Sequence, residues 1–163
     1  MHRIIITFLS VFAVVTLSLS AAYAAADKKA WDVRCKTNEE NGKEYCEMFQ
    51  MITVKDTNQR FVEIAFFKDS NDKMGGVIIL PLGLLVAKPV IMTVDDGDKM
   101  AFQFHTCTPG GCLARITATD ELMTMMRKGN DITLSTHSQL GKPFAVKLSL
   151  AGFSKAYKEV MKK

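Results

Sequence analysis

The stretch Cys107-Thr108-Pro109-Gly110-Gly111-Cys112 places two cysteines at the ends of a segment whose residues favour a tight turn. Proline presets one backbone angle, and the paired glycines accept backbone conformations that are closed to other residues. The two sulfur atoms are therefore expected to approach each other with little strain. A loop of this kind is useful where thiols become oxidised, so the stretch predicts a disulfide-closed turn in an exported protein.

The N-terminus has the three parts of a secretory signal peptide. Arg3 gives the positive start, residues 4–19 carry no charge, and small residues then offer cleavage after Ala24 or Ala26. A membrane-spanning helix needs about 20 apolar residues, whereas this run is shorter and ends in a cleavable pattern. We therefore expect residues 1–24 to be removed. The mature protein would then be periplasmic, secreted or attached to the cell envelope, without a transmembrane segment.

The mature chain, residues 25–163, is long enough for one domain that buries about two-thirds of its unfolded surface. No linker, repeat or low-complexity tract divides it. The formal charge of +4 falls to +3 when Arg3 is removed with the signal. This mild basic balance is typical of a solvated surface, although it would also suit an anionic membrane. No face of alternating aromatic and basic residues is present, so a nucleic-acid partner is not expected.

The four cysteines, Cys35, Cys46, Cys107 and Cys112, allow three disulfide pairings. We favour the two local pairs, Cys35–Cys46 and Cys107–Cys112. The first pair would close a polar stretch that contains Asn41-Gly42, a strong hairpin signal. Loop-closure entropy predicts that these bonds stabilise the fold by about 3 and about 2 kcal/mol.

Two other roles remain open for these cysteines. Structural zinc usually draws on cysteine pairs two to four residues apart, and only the second pair has such spacing. Redox-active pairs favour two intervening residues beside a helix start, whereas Cys107 and Cys112 have four between them, in a turn. Structural disulfides are the favoured role, and neither a metal nor another cofactor is expected.

Most of the mature chain has the pattern of short strands separated by turn residues. Nine segments alternate or run apolar as strands do: 31–35, 45–55, 60–68, 77–80, 90–94, 99–107, 113–117, 131–136 and 144–150. Residues 119–128 begin with capping residues, end before Gly129 and predict a short helix. Residues 153–161 place apolar side chains at helical spacing and predict a C-terminal amphipathic helix. The sequence therefore predicts an all-β fold of about nine strands with these two helices, a β-sandwich or a curled, barrel-like variant of it, and we favour the sandwich.

Few residues of the chain suggest catalysis or ion binding. His105 and His137 would each suit a proton shuttle or a metal ligand, although a solvent-facing histidine is the more common situation. Asp95, Asp96 and Asp98 surround Gly97 and are typical of a turn, because the glycine and glutamate of a calcium loop are not in register. No nucleophile elbow, phosphate loop or dinucleotide motif is present. We expect a protein that is not an enzyme.

Two loop segments are candidates for an interaction surface. Leu82, Leu84, Leu85 and Val86 form an apolar loop around Gly83, and such a loop is either core or contact surface. The rim of the disulfide turn, Thr108-Pro109-Gly110-Gly111, is the second candidate. The methionines Met123, Met125 and Met126 could form an adaptable binding surface, but filling the core beside a short helix is favoured.

Several ordered motifs together resemble the invasion-associated locus B (IalB) family. They are Trp31 to Cys35, Leu80-Pro81-Leu82-Gly83, Val94-Asp95-Asp96-Gly97, Phe104 to Ala114 around the disulfide turn, and Leu148 to Tyr157. Together these motifs extend over essentially the whole mature chain. At Lys88-Pro89 this sequence departs from the glycine expected in the family, so the turn there is expected to have a different shape.

The resemblance implies a secreted or periplasmic protein of an alphaproteobacterium. In some pathogenic members the family is linked to entry into host cells, notably red blood cells, and it implies no catalytic motif. We therefore expect a non-enzymatic envelope protein that contributes to host-cell interaction or envelope integrity through an unknown protein or envelope partner. The alternatives are a periplasmic carrier of a small ligand or lipid, and a periplasmic enzyme that uses His105 or His137.

Overall fold

The computed structural model describes residues 30–69, 71 and 73–162, and the predicted signal peptide (1–24) lies outside them. These residues form ten strands and two helices. In chain order they are β1 (Asp32–Thr37), β2 (Glu44–Thr53), β3 (Arg60–Lys68), β4 (Met74–Leu80), β5 (Val90–Val94), β6 (Lys99–Phe102), β7 (Phe104–Thr108), β8 (Gly111–Thr117), α1 (Asp120–Lys128), β9 (Asp131–His137), β10 (Pro143–Ser149) and α2 (Phe153–Met161).

Two antiparallel sheets form a β-sandwich. The larger has the strand order β1-β2-β3-β4-β8-β7, and the smaller has the order β10-β9-β5-β6. The predicted all-β sandwich with an internal and a C-terminal helix is confirmed. The strand predicted at 99–107 is two strands, because β6 belongs to the smaller sheet and β7 to the larger, with the chain crossing between the sheets at Gln103.

The core lies between the two sheets, because successive side chains of a strand point to opposite faces. β4 shows this alternation, with Ile78 and Leu80 buried and Val77 and Ile79 only partly so. Fully buried side chains fill the interior; the largest are Trp31, Phe66, Phe153, Met48, Ile64, Ile78, Leu80, Met92, Leu122, Met123, Met126 and Ile132.

The two helices lie at one end of the sandwich. Thr119 caps α1, and its side-chain oxygen accepts a hydrogen bond from the backbone N–H of Leu122. Met123 and Met126 are buried, so they fill the core as favoured from the sequence. α2 contacts the larger sheet through Phe153, whose ring meets that of Trp31 edge-on at 4.8 Å between centroids. Among the residues described, no helix is long and apolar enough to cross a bilayer.

Both disulfides pair as predicted, and each joins an edge strand of the larger sheet to its neighbour. Cys35 of β1 lies directly opposite Cys46 of β2, and Cys107 of β7 lies directly opposite Cys112 of β8. Since these pairs join the first two and the last two strands of a six-stranded sheet, their centres are about 19 Å apart across the strands. The four cysteines therefore cannot share one zinc ion.

Candidate interaction surface

Four loops meet at the end of the sandwich opposite the helices, and we call this region the loop end. It consists of residues 54–59, 81–89, 108–111 and 138–142. In the larger sheet, Leu80 pairs with Cys112, so the loops that adjoin these residues leave the sheet side by side. A bridge between Leu84 and Ser138 joins loop 81–89 to the turn of the smaller sheet. The structure thus brings together both segments that the sequence proposed as contact surfaces.

The apolar loop divides into buried and exposed side chains. Leu84 is 9% exposed and belongs to the hydrophobic core, whereas Leu82 is 56% and Val86 is 47% exposed. Leu85 is partly buried, and its backbone N–H donates to the carbonyl of His137. The sequence had grouped these leucines and Val86 as one candidate surface, and Leu84 must be removed from that group because the core encloses it.

Leu140 extends the exposed apolar group and was missed from the sequence. Its side chain is 76% exposed at the tip of the β9–β10 turn. The backbone N–H of Gln139 donates to the Gly83 carbonyl, so the turn that carries Leu140 lies beside the residue that follows Leu82. The sequence feature that could have revealed it is a large apolar residue between Gln139 and Gly141, in the turn between the last two predicted strands.

The disulfide turn is held on both of its sides. The Thr108 hydroxyl accepts a hydrogen bond from the backbone N–H of Gly110, and the Arg60 guanidinium donates to the Gly110 carbonyl at 2.8 Å. Gly111 has φ +125°, and a Cβ there would lie 2.5 Å from the Leu80 carbonyl oxygen. Thr108, Pro109 and Gly110 are exposed, whereas Gly111 is buried. The prediction that Gly111 belongs to the interaction surface is therefore wrong.

An ion network on the outer face of the larger sheet reaches from the first disulfide to the second. The Glu63 carboxylate, only 2% exposed, accepts from Arg34 at 2.5 Å and from Arg60 at 3.1 Å. Arg34 precedes Cys35 and also donates to Glu47 at 2.6 Å. Burial tends to lower the pKa of Arg34, but its hydrogen bonds to Glu47 and Glu63 outweigh that effect and raise the pKa above its usual value. The network therefore orients the arginine that holds the disulfide turn.

The two histidines lie on different sheets. His105 is exposed on edge strand β7, beside a surface groove of about 660 Å³ whose lining includes Phe67, Asp69 and Arg115. The Asp69 carboxylate accepts hydrogen bonds from the backbone N–H groups of Asn71 and Lys73, and these bonds lower its pKa. His137 ends β9 in the smaller sheet. The structure does not bring the two imidazoles into one site.

The aspartates at 95–98 serve a turn. Asp95 has φ +48°, and its carboxylate accepts hydrogen bonds from the backbone N–H groups of Asn130 and Asp131. Asp131 in turn lies 2.8 Å from the Lys147 ammonium, and this hydrogen bond raises the pKa of the lysine. Backbone N–H groups therefore surround the Asp95 carboxylate, in keeping with its predicted role in a turn.

In the part of the chain that the structure describes, one group of side chains is close enough to share a metal ion, namely Cys35, Glu44 and Cys46. Both sulfur atoms of this group are bonded to each other in a disulfide, so neither is available as a thiolate ligand.

Residues 31–161 of the chain match the family model of the invasion associated locus B (IalB) protein. The chain belongs to the IalB family. This confirms the resemblance on the ordered motifs of the sequence. The matched region includes all four loops of the loop end and both disulfides.

Individual IalB relatives match over most of their length. An invasion protein B homolog of Brucella abortus (strain 2308) is 30% identical over 127 residues, which are 77% of this chain and 72% of the relative. Invasion protein B of Bartonella bacilliformis is 28% identical over 151 residues, 90% of this chain and 80% of the relative. The crystal structure of invasion associated protein b from Bartonella henselae superposes with a TM-score of 0.73 at 26% identity, covering 82% of this chain and 92% of that one.

Proposed function

We propose that this IalB family member is an exported, non-enzymatic binding protein whose loop end contacts a component of the bacterial envelope or of a host-cell surface. The observation that carries the proposal is the group of Leu82, Val86 and Leu140, three exposed apolar side chains on loops of one end. Exposed apolar groups of this kind mark interaction sites, and loops on a rigid scaffold commonly carry binding residues.

Export is supported by two independent features of the chain. The N-terminal pattern is that of a cleavable signal, and both disulfides need an oxidising compartment such as the periplasm to persist. The names of the relatives associate the family with invasion, which supports contact with a host cell as the biological setting. N-terminal sequencing of the secreted or periplasmic protein would test removal of residues 1–24.

Binding to membranes from the producing bacterium and to intact host cells tests the proposed surface. The wild-type protein carries a fluorescent label at its N-terminus and is compared with the variant Leu82→Ser/Leu140→Ser. Tyr45→Ser is the matched control, because Tyr45 is also 49% exposed but lies on β2, towards the opposite end of the sheet. We expect the double variant to bind at least tenfold less and the control to bind like the wild type. Equal binding by all three proteins would refute the loop end as the contact surface.

A further inference from the structure

Two turns of the loop end, at Gly83 and at Gly141, have open space beside their backbone, and we call them the tips. Gly83 and Gly141 occupy left-handed conformations, with φ +87° and +74°. A Cβ atom added to either glycine would meet no other atom within 4 Å. These two glycines adjoin Leu82 and Leu140, whose side chains are themselves 56% and 76% exposed. Projecting apolar side chains suit insertion into a soft surface better than a fit into a shaped pocket.

The backbone at these tips forms hydrogen bonds within the protein. Gln139 donates its N–H to the Gly83 carbonyl, Gly141 donates to Ser138, and Lys88 donates to Leu85. Each unpaired backbone group is costly to bring into a lipid environment, because no water is there to replace the lost partner. Internal pairing at the tips therefore favours entry into the boundary between lipid headgroups and acyl chains.

The charges of the loop end complement a negatively charged surface. Its four loops contain three lysines, Lys55, Lys88 and Lys142, against one carboxylate, Asp56, and all four side chains are exposed. Arg60 adds a further positive charge beside the disulfide turn. A cluster of exposed lysines beside apolar side chains is the combination that binds anionic membranes.

The opposite end of the sandwich is weakly acidic. Its described loops carry six carboxylates against Lys43 and Lys73, namely Glu39, Glu40, Asp69, Asp95, Asp96 and Asp98, whereas α1, α2 and Lys162 add five basic side chains against three carboxylates. A molecule with this asymmetry approaches a negative surface with its basic end first. The charge distribution and the apolar tips therefore select the same end of the molecule.

We propose that the loop end docks on an anionic phospholipid bilayer, with Leu82, Val86 and Leu140 at the headgroup boundary and Lys55, Lys88 and Lys142 beside the lipid phosphates. This inference rests on the proposed function, since it assigns the chemistry of the partner to the same surface. The two disulfides and the bond from Arg60 to Gly110 support the larger sheet and the turn beside these tips.

Sedimentation with phospholipid vesicles tests this assignment. Mature protein purified after export is mixed with vesicles of phosphatidylglycerol and phosphatidylcholine, and with vesicles of phosphatidylcholine alone. We expect binding to the first, at least tenfold weaker binding to the second, and loss of binding as salt rises, because salt screens exposed charges. Leu82→Ser/Leu140→Ser and Lys88→Gln/Lys142→Gln should each weaken binding by about tenfold or more.

Matched variants at the other end serve as controls. Tyr45→Ser and Lys43→Gln/Lys73→Gln should bind the anionic vesicles like the wild type. A tryptophan reporter gives the position of the contact, since Leu140→Trp fluorescence should shift to shorter wavelength on anionic vesicles, whereas Tyr45→Trp fluorescence should not.

Two outcomes would overturn the inference. In the first, the anionic vesicles fail to sediment the protein; in the second, the loop-end and control variants bind equally. If native membranes or cells still distinguish Leu82→Ser/Leu140→Ser from the wild type, the proposed function stands with a protein partner. If neither assay distinguishes them, the proposed function fails as well.

Discussion

The buried carboxylate of Glu63 allows a quantitative test of the larger sheet's outer face. Two changes to its ion network are compared: Glu63→Met, which removes the acid, and Arg34→Met/Arg60→Met, which removes both of its basic partners. Both changes break the two contacts to Glu63 but leave different charges behind, and the arginine pair also loses the bonds from Arg34 to Glu47 and from Arg60 to the Gly110 carbonyl. Glu63 is 2% exposed, whereas the arginine side chains are 38% and 33% exposed.

This difference in exposure sets the expected magnitudes. After Glu63→Met both arginines can be hydrated, and Arg34 keeps its bond to Glu47. The cost is then that of charged hydrogen bonds partly replaced by water, about 2 kcal/mol of unfolding free energy. After Arg34→Met/Arg60→Met the carboxylate stays buried without its two partners, which costs about 3–5 kcal/mol. We therefore expect the second change to destabilise the protein by at least about 1 kcal/mol more than the first.

Urea unfolding at neutral pH, followed by far-ultraviolet circular dichroism, measures both changes. With a slope of about 2 kcal/mol per molar urea, Glu63→Met should lower the midpoint by about 1 M and the arginine pair by about 2 M. Glu47→Gln is the control, because this carboxylate is more exposed and contacts only the exposed side of the network. Equal costs for the two changes, or a larger cost for Glu63→Met, would refute the view that Glu63 is the desolvated centre of the network.

Three further predictions follow from the contacts described above. Replacing both cysteines of a pair by serine should lower the unfolding free energy by about 3 kcal/mol for Cys35–Cys46 and about 2 kcal/mol for Cys107–Cys112, as urea titration would measure, and a denatured, unreduced sample should contain no titratable thiol. Leu84→Ser should destabilise the fold by about 3 kcal/mol because it opens the core, whereas Leu82→Ser should change stability by less than about 0.5 kcal/mol; equal thermal unfolding of the two would contradict the division of the loop. The pKa of Asp69 is lower in the folded than in the unfolded protein, so the Asp69 carboxylate stabilises the fold at pH values above its unfolded pKa, and this stabilisation is lost as pH falls through its folded pKa. The difference in unfolding free energy between wild type and Asp69→Ala should therefore become smaller in acid. A difference that stays constant with pH would contradict this role of Asp69.

Turn chemistry explains why so much of the fold could be predicted from the sequence. The hairpins around Asn41-Gly42 and Asp95-Asp96-Gly97 form where those residues occur, and Gly42 and Asp95 both have positive φ. The cap at Thr119 likewise sets the start of α1. Each of these signals acts within a few residues, so it can be recognised without knowing the remainder of the fold.

The errors arise where distant residues decide the local structure. The sequence predicts this strand to begin at residue 77, yet Gly75 and Gly76 already lie in β4, where Phe66 packs so closely that a Cβ on Gly76 would lie 2.7 Å from its ring. The change of sheet at Gln103 carries no proline or glycine, and the alternation of apolar residues continues through it. Neither feature can be inferred from neighbouring residues alone.

Distant residues also explain why the candidate surface could be predicted only in part. The sequence identified residues 82–86 as an apolar segment, but the contact of Leu84 with Ser138, which the sequence does not reveal, determines which of its side chains is enclosed. That contact also brings Leu140 from a separate hairpin to the exposed group. The buried position of Glu63 is likewise set by arginines on β1 and at the start of β3, and only one of those is near it in sequence.

The positions of the disulfides connect stability to the proposed binding surface. Edge strands are the parts of a sheet that lack a second neighbour, so they separate most easily. Here each edge of the larger sheet carries a covalent link to the next strand, and the ion network connects Arg34 beside one link to the turn closed by the other. A loop end held in this way loses little conformational entropy on contact, which leaves more of the apolar and electrostatic interaction available as affinity. Reduction of Cys107–Cys112 should therefore weaken membrane binding more than reduction of Cys35–Cys46, since only the former closes a loop of the binding end.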